Sequence, residues 1–262
     1  MSAEPETERK VSFGFEEVTE REKVERVKTV FRSVASRYDL MNDLMSAGVH
    51  RLWKHDAMNR VNPQPGERHL DVAGGTGELG RAFLELADKA GKRRGIDTPA
   101  TAVVSDINEA MLEAGKARAD NAKWGDRLSW VCADGQNLPW ADKSFDAVTV
   151  SFGIRNFADR VAGLKEFRRV LKPGGRLAVL EFSHMTAPAL QAAYDTYSFN
   201  VIPQLGSLVA GDKESYQYLV ESIRKFPDQE TFRTEIEGAG FSNVSVTNYS
   251  GGIAALHFGW AV

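Results

Sequence analysis

Residues Asp71 to Gly80 read DVAGGTGELG: an acid near the end of an apolar run, then glycines at 74, 75, 77 and 80. The run that carries the acid, HLDVAG, is short and strand-like, and Glu78 to Ala90 holds helical spacing after it. Glycines let the backbone turn sharply and approach a ligand, while the helix start offers free N–H groups. Gly75, Gly77 and Gly80 spell G-x-G-x-x-G, the spacing of a dinucleotide site with its pyrophosphate on a helix N-terminus. Taken alone that spacing is a weak signal. Asp71 argues against it, because a carboxylate facing the same pocket repels pyrophosphate and suits the ammonium group of a methionine-derived zwitterion.

Outward from this loop, apolar runs alternate with helical stretches. TAVVSD is a strand, Asn108 to Ala119 a helix, LSWVCADG and FDAVTVSF strands, ADRVAGLKEFRRVL a helix and RLAVLEF a strand. Pro188 to Val201 is helical in spacing, and PDQETFRTEIEGAG starts with proline and ends in glycine, as helix ends prefer. FSNVSVTNY and IAALHFGW follow as two strands joined by a glycine pair. Such alternation predicts an α/β fold: a mostly parallel seven-stranded sheet, helices on both faces, and a C-terminal antiparallel hairpin.

Ligands of open α/β sheets bind beyond the carboxyl ends of the strands. Asp106 ends TAVVSD, where an acid can accept both hydroxyls of a ribose; helix capping is its plainer role. Asp97 competes by distance from the glycines, but AGKRRGIDTPA has no apolar run before the acid and reads as a loop insertion. Asp134, in CADGQNLPW, is equally well an adenine contact or a polar turn. Cys132 is expected to be a small buried residue rather than a nucleophile.

Upstream, residues 1–19 are acidic and polar and are expected to be flexible. Residues 20–62 form a helical lead-in: Val24, Val27, Phe31 and Val34 share a face, and RYDLMNDLMSAGVHRLW adds a large apolar load that packs on the domain. Residues 63–262 make the catalytic domain, with an insertion at about 186–222. A length of 262 residues suits one core. A net charge of -3 shows no bias toward nucleic acid, and a single cysteine forbids an intrachain disulfide, so the cytoplasm is the expected compartment. The N-terminal residues have the pattern of neither a signal nor a transit peptide, and the uncharged stretch Thr196 to Gly211 is too short to span a bilayer. His50, His55, His69 and His257 lack ligand spacing, so no metal is expected.

DVAGGTG, VVSDIN, ADGQNLPW, FDAVTVSFGIRN and VLKPGGRLAVLEFS resemble, in that order, the class I S-adenosylmethionine-dependent methyltransferases with their Rossmann-like domain. VASRYDLMNDLMSAGVHRLWK, SFGIRN, LEFS and GDKESYQYLVESIRKFPDQETF are similar to the narrower family of ubiquinone and menaquinone biosynthesis C-methyltransferases. Ala73 departs from the wider class, standing where many members have glycine. The resemblance implies S-adenosylmethionine as cofactor, with contacts on Thr76, Asp106, Asp134, Gly135 and Ser151. Asp71 and Gly75 join them on loop geometry and the wider class.

The implied reaction is methylation of a ring carbon of a prenylated hydroquinone, a 2-methoxy-6-polyprenyl-1,4-benzoquinol or demethylmenaquinol. A ring carbon attacks only when a ring hydroxyl has lost its proton, and a phenol titrates near ~10. Arg155 and Asn156, just past the FDAVTVSF strand, are therefore the candidate catalytic residues, with Arg155 expected at the pocket edge to stabilise the oxyanion. A surface ion pair is its plainer role. His184 is a candidate base but reads better as an exposed loop residue, and Arg168, Arg169, Lys172 and Arg176 read as a solvated face.

Leu190, Tyr194, Tyr197 and Val201 align on one helical face, with Ile202, Leu205, Leu208 and Val209 beyond Pro203; together they suggest a lid and an isoprenoid channel. The lipid-soluble tail implies transient contact with a membrane surface, peripheral at the inner face, and leaves room for a complex of quinone-biosynthesis enzymes. Oligomeric state stays open, a homodimer included. A nicotinamide-dependent oxidoreductase and a non-catalytic cofactor-binding scaffold are the rival functions.

Overall fold

A computed structural model describes residues 9–34, 42–43, 45–46, 48–187, 191, 196–200, 203–204 and 213–262. Tyr38, Leu40, Met41 and Leu44 of the lead-in, and Leu190, Tyr194, Val201, Ile202, Leu205, Leu208 and Val209 of the expected lid, lie outside the described residues.

Residues 10–19, expected to fray, instead form an antiparallel hairpin of β1 (Lys10–Phe13) and β2 (Glu16–Thr19). It leads into α1 (Glu20–Val34), capped by the Thr19 hydroxyl, which accepts from the Glu22 amide, while the Glu22 carboxylate accepts from the Thr19 amide. After α2 (His50–Val61) the chain enters the sheet with β3 (Arg68–Val72) and turns through the glycine loop into α3 (Glu78–Arg94). β4 (Thr101–Asp106), α4 (Glu109–Lys116), β5 (Leu128–Cys132) and β6 (Phe145–Ser151) follow. Next come α5 (Arg160–Val170), β7 (Leu171–Phe182), α6 (Lys213–Lys225), α7 (Gln229–Gly238), β8 (Ser242–Tyr249) and β9 (Ala254–Ala261).

The seven strands run in the order β5-β4-β3-β6-β7-β9-β8, parallel from β5 to β7, with β9 antiparallel to both neighbours. Strand order reverses between β3 and β6, where a doubly wound sheet opens a crevice. Side-chain alternation divides the core. His69 and Asp71 of β3 face α3, with His69 stacked on Phe83, whereas Leu70 and Val72 face the cluster of Leu164, Phe167, Phe232 and Ile236 from α5 and α7. The opposite cluster joins Trp53 and Met58 of α2, Phe83 of α3 and Tyr216, Leu219 and Ile223 of α6. α6 falls in the stretch read as a lid insertion, yet Tyr216, Leu219, Val220 and Ile223 are buried at helical spacing, so the end of that stretch is core.

Several polar side chains sit elsewhere than the sequence suggested. Cys132 is exposed, because β5 is an edge strand. Arg176 is buried against Glu67 at 2.6 Å, and Arg169 pairs with Glu166 and Asp142, so the expected solvated face is tied down by carboxylates. Among the described residues, no group of His, Cys, Asp or Glu could hold a metal ion, and no helix is long and apolar enough to cross a membrane.

Candidate active site

A cleft of about 730 Å³ opens beyond the carboxyl ends of β3, β4, β5 and β6. Val72, Ala73, Asp106, Asp134, Gly135 and Phe152 form its sheet side. Val24, Val27 and Phe31 of α1 form the facing wall, so three of the four lead-in residues placed on one face do more than pack. Two bonds hold α1 there: the Lys23 Nζ donates to the Phe157 carbonyl at 2.8 Å, and the Asn108 amide nitrogen donates to the Lys28 carbonyl at 3.1 Å. Burial lowers the Lys23 ammonium to about 8, with Arg160 adding to the shift.

Asp106 stands in the wall at the end of β4, as expected. The Gly75 amide donates to its Oδ2 at 3.0 Å and the Asn108 amide to its Oδ1 at 2.9 Å. A carboxylate has about four acceptor sites, so capacity remains for two vicinal hydroxyls. Burial raises this carboxyl to about 6 against the pull of those amides. Capping of α4 falls to Asn108, whose side chain accepts from the Ala110 amide, which leaves Asp106 for the cleft. Asp97 is an exposed loop residue after α3. Asp134 and Gly135 also line the cleft; the Asp134 carboxylate accepts from the Gln136 amide at 2.9 Å. A Cβ on Gly135 would stand 2.5 Å from the Phe157 ring, so only glycine leaves this edge open.

Asp71 does not face the cleft. It points to the α3 side of the sheet, opposite to Val72, where its Oδ1 accepts from the Thr149 hydroxyl at 2.8 Å and its Oδ2 from the Gly80 amide at 3.3 Å. Burial raises it to about 7. Its work is to tie the first turn of α3, where the glycine loop ends, to the sheet. Gly75, Thr76 and Ser151 stand behind the wall: Gly75 orients Asp106, the Thr76 carbonyl accepts from Asn121, and the buried Ser151 Oγ has no partner among the described residues.

Arg155 is also displaced from its expected place. Residues Ile154–Asn156 form a 3-10 turn that sends Arg155 inward, where its Nη1 donates to Glu181 at 2.7 Å and to the Phe152 carbonyl. Its side chain is 0% exposed, so it touches nothing in the cleft, and its plainer reading as a surface pair fails as well. Asn156 does line the cleft. Its Nδ2 donates to the Gly153 carbonyl at 3.2 Å and its Oδ1 accepts from the Tyr218 hydroxyl at 3.0 Å. His184 lies away from the cleft, donating through Nε2 to the Phe226 carbonyl at 2.8 Å. The backbone is strained at two neighbouring strand ends, with φ of 50° at Ala73 and 57° at Phe152. Ala73 has room for its methyl because residue 153 is glycine: a Cβ there would stand 2.5 Å from the Ala73 Cβ.

A doubly wound sheet closed by an antiparallel hairpin, with a glycine loop after β3 and acids after β4 and β5, is the architecture of a class I S-adenosylmethionine-dependent methyltransferase. A methyltransferase of Aquifex aeolicus described as SAM-dependent shares it at a TM-score of 0.54 and 15% identity, over 80% of this chain and 89% of that one. A SAM-dependent methyltransferase of Thermotoga maritima does so at a TM-score of 0.60 and 18% identity, over 89% and 99%. The profile of the ubiE/COQ5 methyltransferase family matches residues 17–261. A relative from Paracoccus denitrificans, named ubiquinone/menaquinone biosynthesis C-methyltransferase UbiE, is 54% identical over 256 residues, 98% of each chain. A Caulobacter vibrioides relative of the same name is 53% identical over 251 residues, 96% of this chain and 98% of that one. The chain therefore belongs to the ubiE/COQ5 methyltransferase family. It is a methyltransferase, not a nicotinamide-dependent oxidoreductase, and its cofactor is S-adenosylmethionine.

Proposed function

We propose that this enzyme methylates a ring carbon of a prenylated hydroquinone, a 2-methoxy-6-polyprenyl-1,4-benzoquinol or demethylmenaquinol. The observation that carries the reading is the cleft: one apolar helical wall, carboxylates at the opposite edge and an amide donor between, in a chain 54% identical to relatives named for quinone C-methylation. Asp106 takes the ribose hydroxyls, and Asp134 with Gly135 takes the adenine edge. Gly75, Thr76 and Ser151 support that side through the loop and strand ends on which they sit. Asp71 acts at one remove, by holding the first turn of α3, where the glycine loop ends.

When bound, the cofactor supplies a methyl group already activated by its sulfonium. The protein's own tasks are alignment, exclusion of water and stabilisation of the phenolate that makes the ring carbon nucleophilic. The apolar side chains of α1 keep water from the reacting atoms. Asn156 has a second Nδ2 hydrogen free to meet a ring oxyanion. Arg155, which cannot touch the ring, positions the strand-end turn: its bonds to Glu181 and to the Phe152 carbonyl fix the backbone that carries Phe152, Gly153 and Asn156.

Contact with a membrane surface, peripheral and reversible, draws support from the hairpin tip. Phe15 is 54% exposed, stacks on Phe199 at 6.1 Å and lies under the Lys225 ammonium, with exposed Tyr197 in the same helical turn as Phe199. Aromatic rings beside a cation suit a lipid interface. The test is to incubate the protein with methyl-labelled S-adenosylmethionine and each quinol, with and without its isoprenoid tail. Label is expected in the ring of the tailed quinols; none in either quinol would reject the reading. Binding of the cofactor without turnover would favour the scaffold function instead.

A further inference from the structure

We propose that Tyr218 is a positioning residue for methyl transfer, acting through Asn156; the inference rests on the assignment of Asn156 to the quinol oxygen. The hydrogen bonds around the Asn156 amide admit one arrangement. The Gly153 carbonyl can only accept, so the atom 3.2 Å from it must be Nδ2, and Oδ1 then faces the Tyr218 hydroxyl at 3.0 Å. An amide oxygen cannot donate, so Tyr218 must keep its proton and donate it. Its surroundings favour that form: burial raises the hydroxyl above its ordinary value, and Glu181 adds to the rise while Arg155 opposes it.

Tyr218 is itself held in place. Its ring is 5% exposed and stacks on Phe13 of the N-terminal hairpin, centroids 4.1 Å apart and planes 17° from parallel. The hairpin is fastened to α6 by Glu221, whose Oε2 accepts from the Phe15 amide at 3.1 Å and whose Oε1 accepts from Gln217 at 2.7 Å. Two of the polar positions on the Asn156 amide are therefore satisfied by rigid partners, and one N–H remains for the cleft before any quinol arrives. Without the tyrosine hydroxyl the amide is held by the Gly153 carbonyl alone, and the second bond that aims its remaining N–H at the oxyanion is lost.

The test compares Tyr218→Phe, Asn156→Ala and the double variant, using whichever tailed quinol the native enzyme methylates. For Tyr218→Phe, kcat should fall about fivefold to tenfold, the worth of one neutral hydrogen bond in the transition state. The dissociation constant of S-adenosylhomocysteine should stay unchanged, and the rising limb of the pH–rate profile should move to higher pH, because the phenolate is less stabilised. The double variant should be no slower than Asn156→Ala, since Tyr218 acts only through that amide. A native rate in Tyr218→Phe beside an impaired Asn156→Ala, or additive losses in the double variant, would overturn the role of Tyr218 and leave the Asn156 assignment standing. A native rate in Asn156→Ala would overturn both. Should Tyr218→Phe not fold, Phe13→Leu loosens the same ring: a twofold or larger fall in kcat, absent in the Asn156→Ala background, supports the chain of contacts, and an unchanged kcat refutes it.

Discussion

The two walls of the cleft are built by different means. On the sheet side, backbone amides at strand ends do the positioning: the Asn108 and Gln136 amides hold Asp106 and Asp134 two residues away, and the Gly75 amide reaches Asp106 from the end of the adjacent strand. On the facing side, α1, the hairpin and α6 are joined through residues far apart in sequence, such as Ser33 and Ser215 or the Phe15 amide and Glu221, and the Tyr218 hydroxyl ties α6 across to Asn156 on the strand-end turn. Under the proposed function, the contrast separates a cofactor wall set by backbone amides from a quinol wall assembled by tertiary packing. Damage to one is expected to spare the other.

The largest test removes Glu181. With Arg155 left charged and buried, Glu181→Ala should cost about 3 to 5 kcal/mol of stability, read by urea unfolding. Because the turn at Ile154–Asn156 loses its anchor, kcat should fall while folded protein keeps its affinity for S-adenosylhomocysteine. An equal loss of both would erase the distinction between the walls.

Asp71 offers a pH test on the sheet side. Its folded carboxyl, raised by burial from 3.8 to about 7, contributes stability that is complete below pH 3.8 and is lost as pH rises toward 7. The whole change approaches about 4 kcal/mol at most. Asp71→Asn has no such slope, so the stability of the native protein relative to this variant should decline between pH 4 and pH 7. A flat difference would mean that Asp71 is not buried as the acid.

Asp106→Ala should weaken cofactor binding by about 1.5 to 3 kcal/mol through lost charge-assisted bonds, whereas Asp97→Ala should leave it unchanged. Calorimetric titration separates them, and equal losses would remove Asp106 from the cofactor wall. The same carboxyl, held at about 6, must be ionised to accept two hydroxyls, so affinity should fall below pH 6. The smallest effect belongs to the residue shared by both walls. Asn108 caps α4 and also grips α1, so Asn108→Ala should cost about 1 kcal/mol in stability and raise the dissociation rate of S-adenosylhomocysteine measured by stopped flow. An unchanged dissociation rate would show that α1 does not close the cleft.

What the sequence disclosed follows the same division. Strands, the order of the loops, and the position of Asp106, Asp134 and Gly135, rather than Asp97, at the cleft are legible because strand ends and glycine turns write their geometry into neighbouring residues. The direction of Asp71 was readable in principle: alternation along β3 puts it and Val72 on opposite faces, and Val72 lines the cleft. Arg155 was not, since its partner lies on β7 and nothing near SFGIRN announces it. The hairpin escaped because its two four-residue strands are mostly charged and polar, and its stacking ring belongs to Tyr218. For α6, Tyr216, Leu219, Val220 and Ile223 carried a helical signal that the apolar residues before them obscured.

Ala73 and Gly153 compete for one methyl-sized volume, filled from the side of residue 73. Of the four combinations of glycine and alanine at these sites, three fit and alanine at both does not. An ancestor with glycine at 73 and alanine at 153 could reach the present pair only by first losing the methyl at 153, so the accessible mutational path has a required order. Ala73→Gly is thus a silent step in shape, and one that opens position 153 to change.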